Sequence, residues 1–157
     1  MDDDGYVVTE ALTQNTVDDA DVLPDLLDQI DAPLERFTGD GAYDTRGVYR
    51  AVGGPGVQIV VPPRRPATAS PEATGPWAQR TRHIERIAEI GRLAWQKDTG
   101  YRQQARVEGT FLRYKRILGG SLRATGFEAQ QREARVGCTV LNTMLALGKA
   151  QSLAVTA

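Results

Sequence analysis

A single cysteine and a single histidine are the scarcest features of this 157-residue chain, and they exclude whole classes of chemistry. Cys138 alone rules out an intrachain disulfide and a cysteine-built zinc site, and it fits a reducing compartment. His83 alone leaves nothing for a histidine-rich metal centre and almost nothing for a Ser-His-Asp triad. No apolar run approaches the length of a membrane span, so no membrane partner is expected. No signal-peptide pattern opens the chain, because Met1 leads straight into Asp2-Asp3-Asp4, and a cytoplasmic location follows as the expectation. What remains is a globular composition, 41% hydrophobic and 25% charged, of a length that suits one domain able to bury a core.

The net charge of -1 hides a strong polarity. Residues 1–44 carry 13 acids against one base, Arg36, whereas residues 45–157 carry 18 bases against 7 acids. Such a split points to a nucleic-acid partner for the basic part, with mutual complementation inside one fold as the plainer alternative.

Gly5–Leu12, rich in β-branched residues, reads as a strand. Thr16-Val-Asp-Asp resembles a helix start leading into Val22, Leu23, Leu26, Leu27 and Ile30 at helical spacing. Leu34–Thr38 is a short strand ending at Gly39-Asp40-Gly41. Thr45–Val52 reads as a helix, with Asp44 as its expected cap. Val57–Val61 is the clearest strand, nearly continuous as for a buried parallel one. Residues 64–76 form a loop with little capacity to pack. From Gln79 the pattern is helical until Gly100, and a further helix over 101–118 carries Glu108. A last amphipathic helix over 128–147 puts Val136, Val140, Leu141, Met144 and Leu145 on its apolar side. His83 is expected at the surface, Trp95 in the core and Cys138 buried within the last helix. Strands followed by crossing helices, then a helical second half, predict an α/β sheet covered by helices.

On a helix, Tyr101, Gln104, Glu108, Phe111 and Lys115 fall within an arc of roughly 80°. Arg102, Arg106, Arg113 and Arg116 crowd the adjoining flank. A carboxylate ringed by cations and aromatics suits an acid that binds a metal while its neighbours hold a polyanion. Three acids stand out by position: Asp2 before the first strand, Asp40 at a strand end, and Glu108. Such a set supplies hard oxygen ligands to a pair of Mg²⁺ ions about 3.5–4 Å apart, the arrangement phosphodiester chemistry uses, and it needs neither histidine nor cysteine. Asp2 also reads as part of a solvated acidic terminus, and Asp40 as a turn residue between glycines. Tyr101 is equally a core residue or a DNA contact.

These residues resemble the C-terminal part of a bacterial or archaeal insertion-sequence transposase of the DDE class, from the IS-four/IS-five branch. That family's signature separates Tyr, Arg, Glu and Lys by two, three and six residues, which Tyr101, Glu108 and Lys115 match, with Gln104 in the Arg position. Gly39-Asp-Gly-Ala-Tyr-Asp-Thr45 is similar to the block around the second catalytic Asp. Val61–Arg65, Gly91–Lys97, Leu118–Phe127 and Val140–Gly148 also look like family segments.

The resemblance implies an RNase H-like core with a mixed sheet flanked by helices and a helical C-terminal half. It also implies that residues 1–157 are the C-terminal part of a DDE catalytic domain, with the first strand and the upstream DNA-binding region missing. Asp2, Asp40 and Glu108 become the catalytic metal ligands for two Mg²⁺ ions (or Mn²⁺), with Asp3 and Asp4 as alternatives to Asp2. Tyr101, Arg102, Arg106, Arg113, Lys115, Arg116, Arg64 and Arg65 become DNA contacts. The implied activity is hydrolysis and strand transfer at transposon ends, weak or absent in this chain, with DNA and further copies of the chain as partners near the nucleoid. A non-catalytic DNA-binding or subunit-interacting protein that interferes with an intact transposase is the alternative, and a host nuclease of the same fold is a third.

Overall fold

The computed structural model describes residues 1–101 and 104–148. They form two compact units, Thr13–Ala105 and a second made of Met1–Leu12 with the chain from Arg106 onward. No helix among the described residues is long and apolar enough to cross a membrane.

In the first unit, β1 (Arg36–Thr38) and β2 (Gln58–Val60) pair in parallel, with Phe37 opposite Ile59. The α/β class expected from the sequence holds, and the sheet among the described residues is two-stranded and parallel. A parallel pair needs a crossover, which α2 (Arg46–Val52) supplies. Thr45 caps α2 by accepting from the Val48 N–H at 3.2 Å. Ile59 joins Leu23, Val48, Tyr49, Val52, Val57 and Val61 in one apolar cluster. Strand alternation turns Val60 to the opposite side, where it is equally buried. Burial on both faces explains the unbroken apolar run. At the usual worth of such side chains, Ile59, Val60 and Val61 stabilise the unit by roughly 5–9 kcal/mol before entropy is counted.

The two edges of this sheet differ. Along β2, α3 (Trp77–Ile90) takes the place of a third strand. Gln79 accepts from the Ile59 N–H at 3.0 Å and donates to the Val57 carbonyl at 2.8 Å, while His83 Nε2 donates to the Ile59 carbonyl at 2.7 Å. Along β1, the register leaves the N–H and C=O groups of Arg36 and Thr38 facing away from β2, with no partner among the described residues.

His83 is a half-buried strut rather than a surface residue. Its Nδ1 accepts from Trp95 Nε1 at 3.0 Å, and an indole N–H only donates, so the tautomer is fixed with the proton on Nε2. Burial lowers its pKa below the ordinary 6.5, against the opposing pull of the Ile59 carbonyl. A folded-state pKa below the unfolded one gives stability that is complete above the unfolded value and lost as the pH falls through the folded value. Thermal melts are expected to show this loss below about pH 6.5. His83→Gln, which does not titrate, is expected to remove that part of the pH dependence while lowering the melting temperature at neutral pH.

The helical reading from Gln79 to Gly100 breaks at Gly91, whose φ of +81° ends α3 and starts α4 (Arg92–Asp98). An isolated glycine in a helical pattern carries no certain signal of a break, and here the bend brings Trp95 back against His83. The helix expected over Thr16–Ile30 shrinks to α1 (Leu23–Leu27). Upstream, the Asp18 carboxylate accepts from the Ala20 N–H at 2.9 Å, a local bond that competes with helix.

In the second unit, α5 (Gln104–Leu118) and α6 (Phe127–Gly148) carry the structure. A Cβ on Gly137 would lie 2.6 Å from the Tyr114 ring and hydroxyl, which explains a glycine in the middle of α6 despite its helix cost. Gly137→Ala is expected to cost about 1–3 kcal/mol by overpacking, read as a lowered denaturant midpoint. Gly5–Leu12 is not a strand, contrary to its β-branched pattern. A ladder needs a neighbouring strand, and this segment lies on a helix instead. The Asn142 side chain accepts from the Val7 N–H at 2.8 Å and donates to the Val7 carbonyl at 2.9 Å, and Arg135 binds Glu10 at 2.9 Å.

Candidate functional site

The carboxyl ends of the two parallel strands meet at one corner of the first unit. Asp40 follows β1 and caps the 3-10 turn Gly41–Tyr43, its Oδ1 accepting from the Ala42 N–H at 2.8 Å. The residue is exposed, and its second carboxylate oxygen accepts no hydrogen bond among the described residues. Asp19 and Asp18 lie close enough to help Asp40 raise the Tyr43 phenol pKa, after burial as the main cause.

Beyond β2, the chain turns through Pro62-Pro63-Arg64-Arg65. Arg64 is exposed, yet its guanidinium is committed: Nε donates to the Gly41 carbonyl at 2.9 Å and Nη2 to the Ala42 carbonyl at 2.7 Å. Arg65 is exposed beside it, and Arg92 donates to the Pro63 carbonyl at 2.8 Å.

Asp44, expected to cap α2, does something else. Its side chain is fully buried and accepts from Arg80 Nε at 2.7 Å and Nη2 at 3.0 Å, and from the Arg64 N–H at 2.8 Å. The Arg80 guanidinium lies over the Trp77 ring at 4.7 Å. The Tyr49 hydroxyl, buried nearby, has no hydrogen-bond partner among the described residues, and burial together with the Asp44 charge drives its pKa far upward. No local pattern in the sequence marks Arg80 or gives Asp44 this role, and Arg92 is marked only as part of the family-like segment Gly91–Lys97. Only the excess of arginines over acids downstream of residue 44 hints that some are structural.

In the second unit, Asp2 closes a turn, accepting from the Tyr6 N–H at 2.8 Å through Oδ1. Asp3 and Asp4 form the turn itself and are exposed. Met1 Sδ accepts from the Thr110 hydroxyl at 3.3 Å, so the residue before Asp2 touches α5 two residues beyond Glu108. Glu108 is exposed and makes no ion pair among the described residues. Arg113, Lys115 and Arg116 are exposed on the same helix, with the Lys115 ammonium 5.1 Å from the centre of the Phe111 ring. Arg102 lies outside the described residues, as do the side chains of Gln104 and Arg106. Tyr101 precedes α5 and belongs to the first unit, where its ring packs 5.7 Å from that of Trp95.

Asp2 and Glu108 thus share one unit and Asp40 belongs to the other. Among the described residues, no group of three His, Cys, Asp or Glu side chains is placed to hold a metal ion. The donors themselves suit a hard divalent cation. Asp2, Asp40 and Glu108 are exposed carboxylates, and Asp2 and Asp40 each commit one oxygen to a backbone amide and keep the other free of hydrogen bonds among the described residues.

A family model described as "Transposase DDE domain" matches residues 1–143. No solved structure matches the chain.

Proposed function

This chain belongs to the transposase DDE-domain family, and from that premise we propose that it is a DNA recombinase of the IS-four/IS-five branch, built on an RNase H-like core. Membership supports DNA transposition in general. The observation that carries the finer reading is Asp40, an exposed carboxylate with one oxygen unclaimed, at the carboxyl end of a parallel strand. Ligands in open α/β sheets bind at that end. The outer edge of β1, unpaired among the described residues, is also where an RNase H-like sheet would add a further strand.

In this reading Asp2 (or Asp3 or Asp4), Asp40 and Glu108 hold two Mg²⁺ ions, or Mn²⁺ in their place. The ions would supply activation of the attacking oxygen and charge stabilisation at the leaving one. Arg64, Arg65, Tyr101, Arg102, Arg106, Arg113, Lys115 and Arg116 contact the sugar–phosphate backbone, giving salt-dependent, sequence-independent affinity. Hydrolysis at the element's ends frees 3′-hydroxyls, which attack target DNA in line, with no covalent enzyme intermediate. The active assembly is a homo-oligomer at cytoplasmic, nucleoid-associated DNA.

This chain is expected to catalyse the reaction weakly, because Gln104 stands where the family's signature has arginine. Purified protein with Mn²⁺ should nick element-end DNA slowly, and Asp40→Asn or Glu108→Gln should abolish that nicking. Nicking untouched by both substitutions would end the metal-site reading, and robust Mg²⁺-dependent cleavage would end the expectation of weakness. The basic charge of residues 45–157, 18 bases against 7 acids, favours a second reading, a non-catalytic DNA-binding or subunit-interacting protein that interferes with an intact transposase. Overproduction should then lower transposition of the matching element, and an unchanged frequency would count against it.

A further inference from the structure

We propose that Arg64 is a positioning residue for the Asp40 carboxylate, fixed in place by the buried Asp44–Arg80 pair; this rests on the reading of Asp40 as a metal ligand. Asp40 stands between Gly39 and Gly41, residues whose backbones have more freedom than those of other amino acids. A carboxylate there would lose much entropy on binding an ion unless the loop were held beforehand.

The holding contacts are on the Arg64 side chain. The Ala42 N–H donates to Asp40 Oδ1 and the Ala42 carbonyl accepts from Arg64 Nη2, while the Gly41 carbonyl accepts from Arg64 Nε. One guanidinium thereby fixes the direction of the peptide that carries the Asp40 cap. The Arg64 backbone is held in turn, since its N–H donates to Asp44 Oδ2 at 2.8 Å. Asp44 is gripped by two nitrogens of Arg80. The chain of bonds runs from α3 through both strand ends to the Asp40 carboxylate, whose other oxygen it leaves unused. A planar fork suits two carbonyls at once, as a lysine ammonium does not. Arg64 Nη1, which has no partner among the described residues, is left for a phosphate.

The test uses the full chain and Mn²⁺ alone, with free ion measured by electron paramagnetic resonance and the Ala42 amide followed by nuclear magnetic resonance. Asp40→Asn should remove the site. Arg64→Gln should weaken Mn²⁺ binding about tenfold at an unchanged melting temperature and shift the Ala42 amide before any metal is added. Arg64→Lys should fall between it and the parent, and it supplies the comparison should Arg64→Gln not fold. A residue that only met phosphate would leave Mn²⁺ affinity without DNA unchanged. Wild-type affinity in both Arg64 variants, with loss in Asp40→Asn, would therefore overturn the positioning role. Wild-type affinity in Asp40→Asn as well would overturn the metal reading, and this one with it.

Discussion

Asp44→Ala is expected to cost about 3–5 kcal/mol of folding stability, a large share of what a domain this size possesses. The carboxylate is fully buried and accepts three hydrogen bonds, two of them from the Arg80 side chain, which is 15% exposed. Truncation would leave the Arg80 charge and the Arg64 N–H without their acceptor, and an uncompensated buried charge costs more than the pair contributes. The pair itself is a different matter. Asp44→Leu combined with Arg80→Met is expected to recover most of the loss, because well-packed apolar replacements of a buried pair are often neutral. Denaturant melts of the two single variants and the double separate these cases. A loss under about 1 kcal/mol in Asp44→Ala would show that water reaches the carboxylate and that the pair behaves as a surface bridge. The double variant carries a functional consequence too. Restored stability with weakened Mn²⁺ binding is expected, since the Arg64 backbone would lose its anchor.

The buried role of Asp44 is hidden in the sequence by distance along the chain. Its partner is 36 residues away, and an acid next to a helix start already has a sufficient local explanation as a cap. His83 is hidden for the same reason, since the Ile59 carbonyl and Trp95 indole that define it come from two other elements. Periodicity and local chemistry fix what is legible. The unbroken run Val57–Val61 marks a strand buried on both faces, and Gly39-Asp40-Gly41 marks a carboxylate at a strand end. Gly5–Leu12 misleads because β-branched composition states a preference, whereas a strand also needs a neighbour. The Asn142 side chain fills that role for a single residue only. The division of the chain into two units, with Asp40 in one and Asp2 and Glu108 in the other, is out of reach because patterning assigns elements and not the units they join.

Neutralising the exposed cations of α5 is the other large effect expected. The triple variant Arg113→Gln, Lys115→Gln, Arg116→Gln should weaken DNA binding on the order of 10²-fold near physiological salt. It should also flatten the slope of log K against log salt by about 2.7, or about 0.9 for each phosphate no longer neutralised. All three side chains are exposed, and none forms an ion pair among the described residues, so folding stability should stay within about 0.5 kcal/mol. The weakening should be equal on any duplex, because phosphate contacts carry affinity without reading bases. The arginines of α6 serve as the control. Arg135 is paired with Glu10 at 2.9 Å and Arg132 with Glu128 at 3.8 Å, so their charge is already answered within the unit. Arg132→Gln with Arg135→Gln should change the salt slope little. Equal weakening by the α5 and α6 variants would mean that net charge alone draws DNA to this chain, and that α5 presents no particular surface to it.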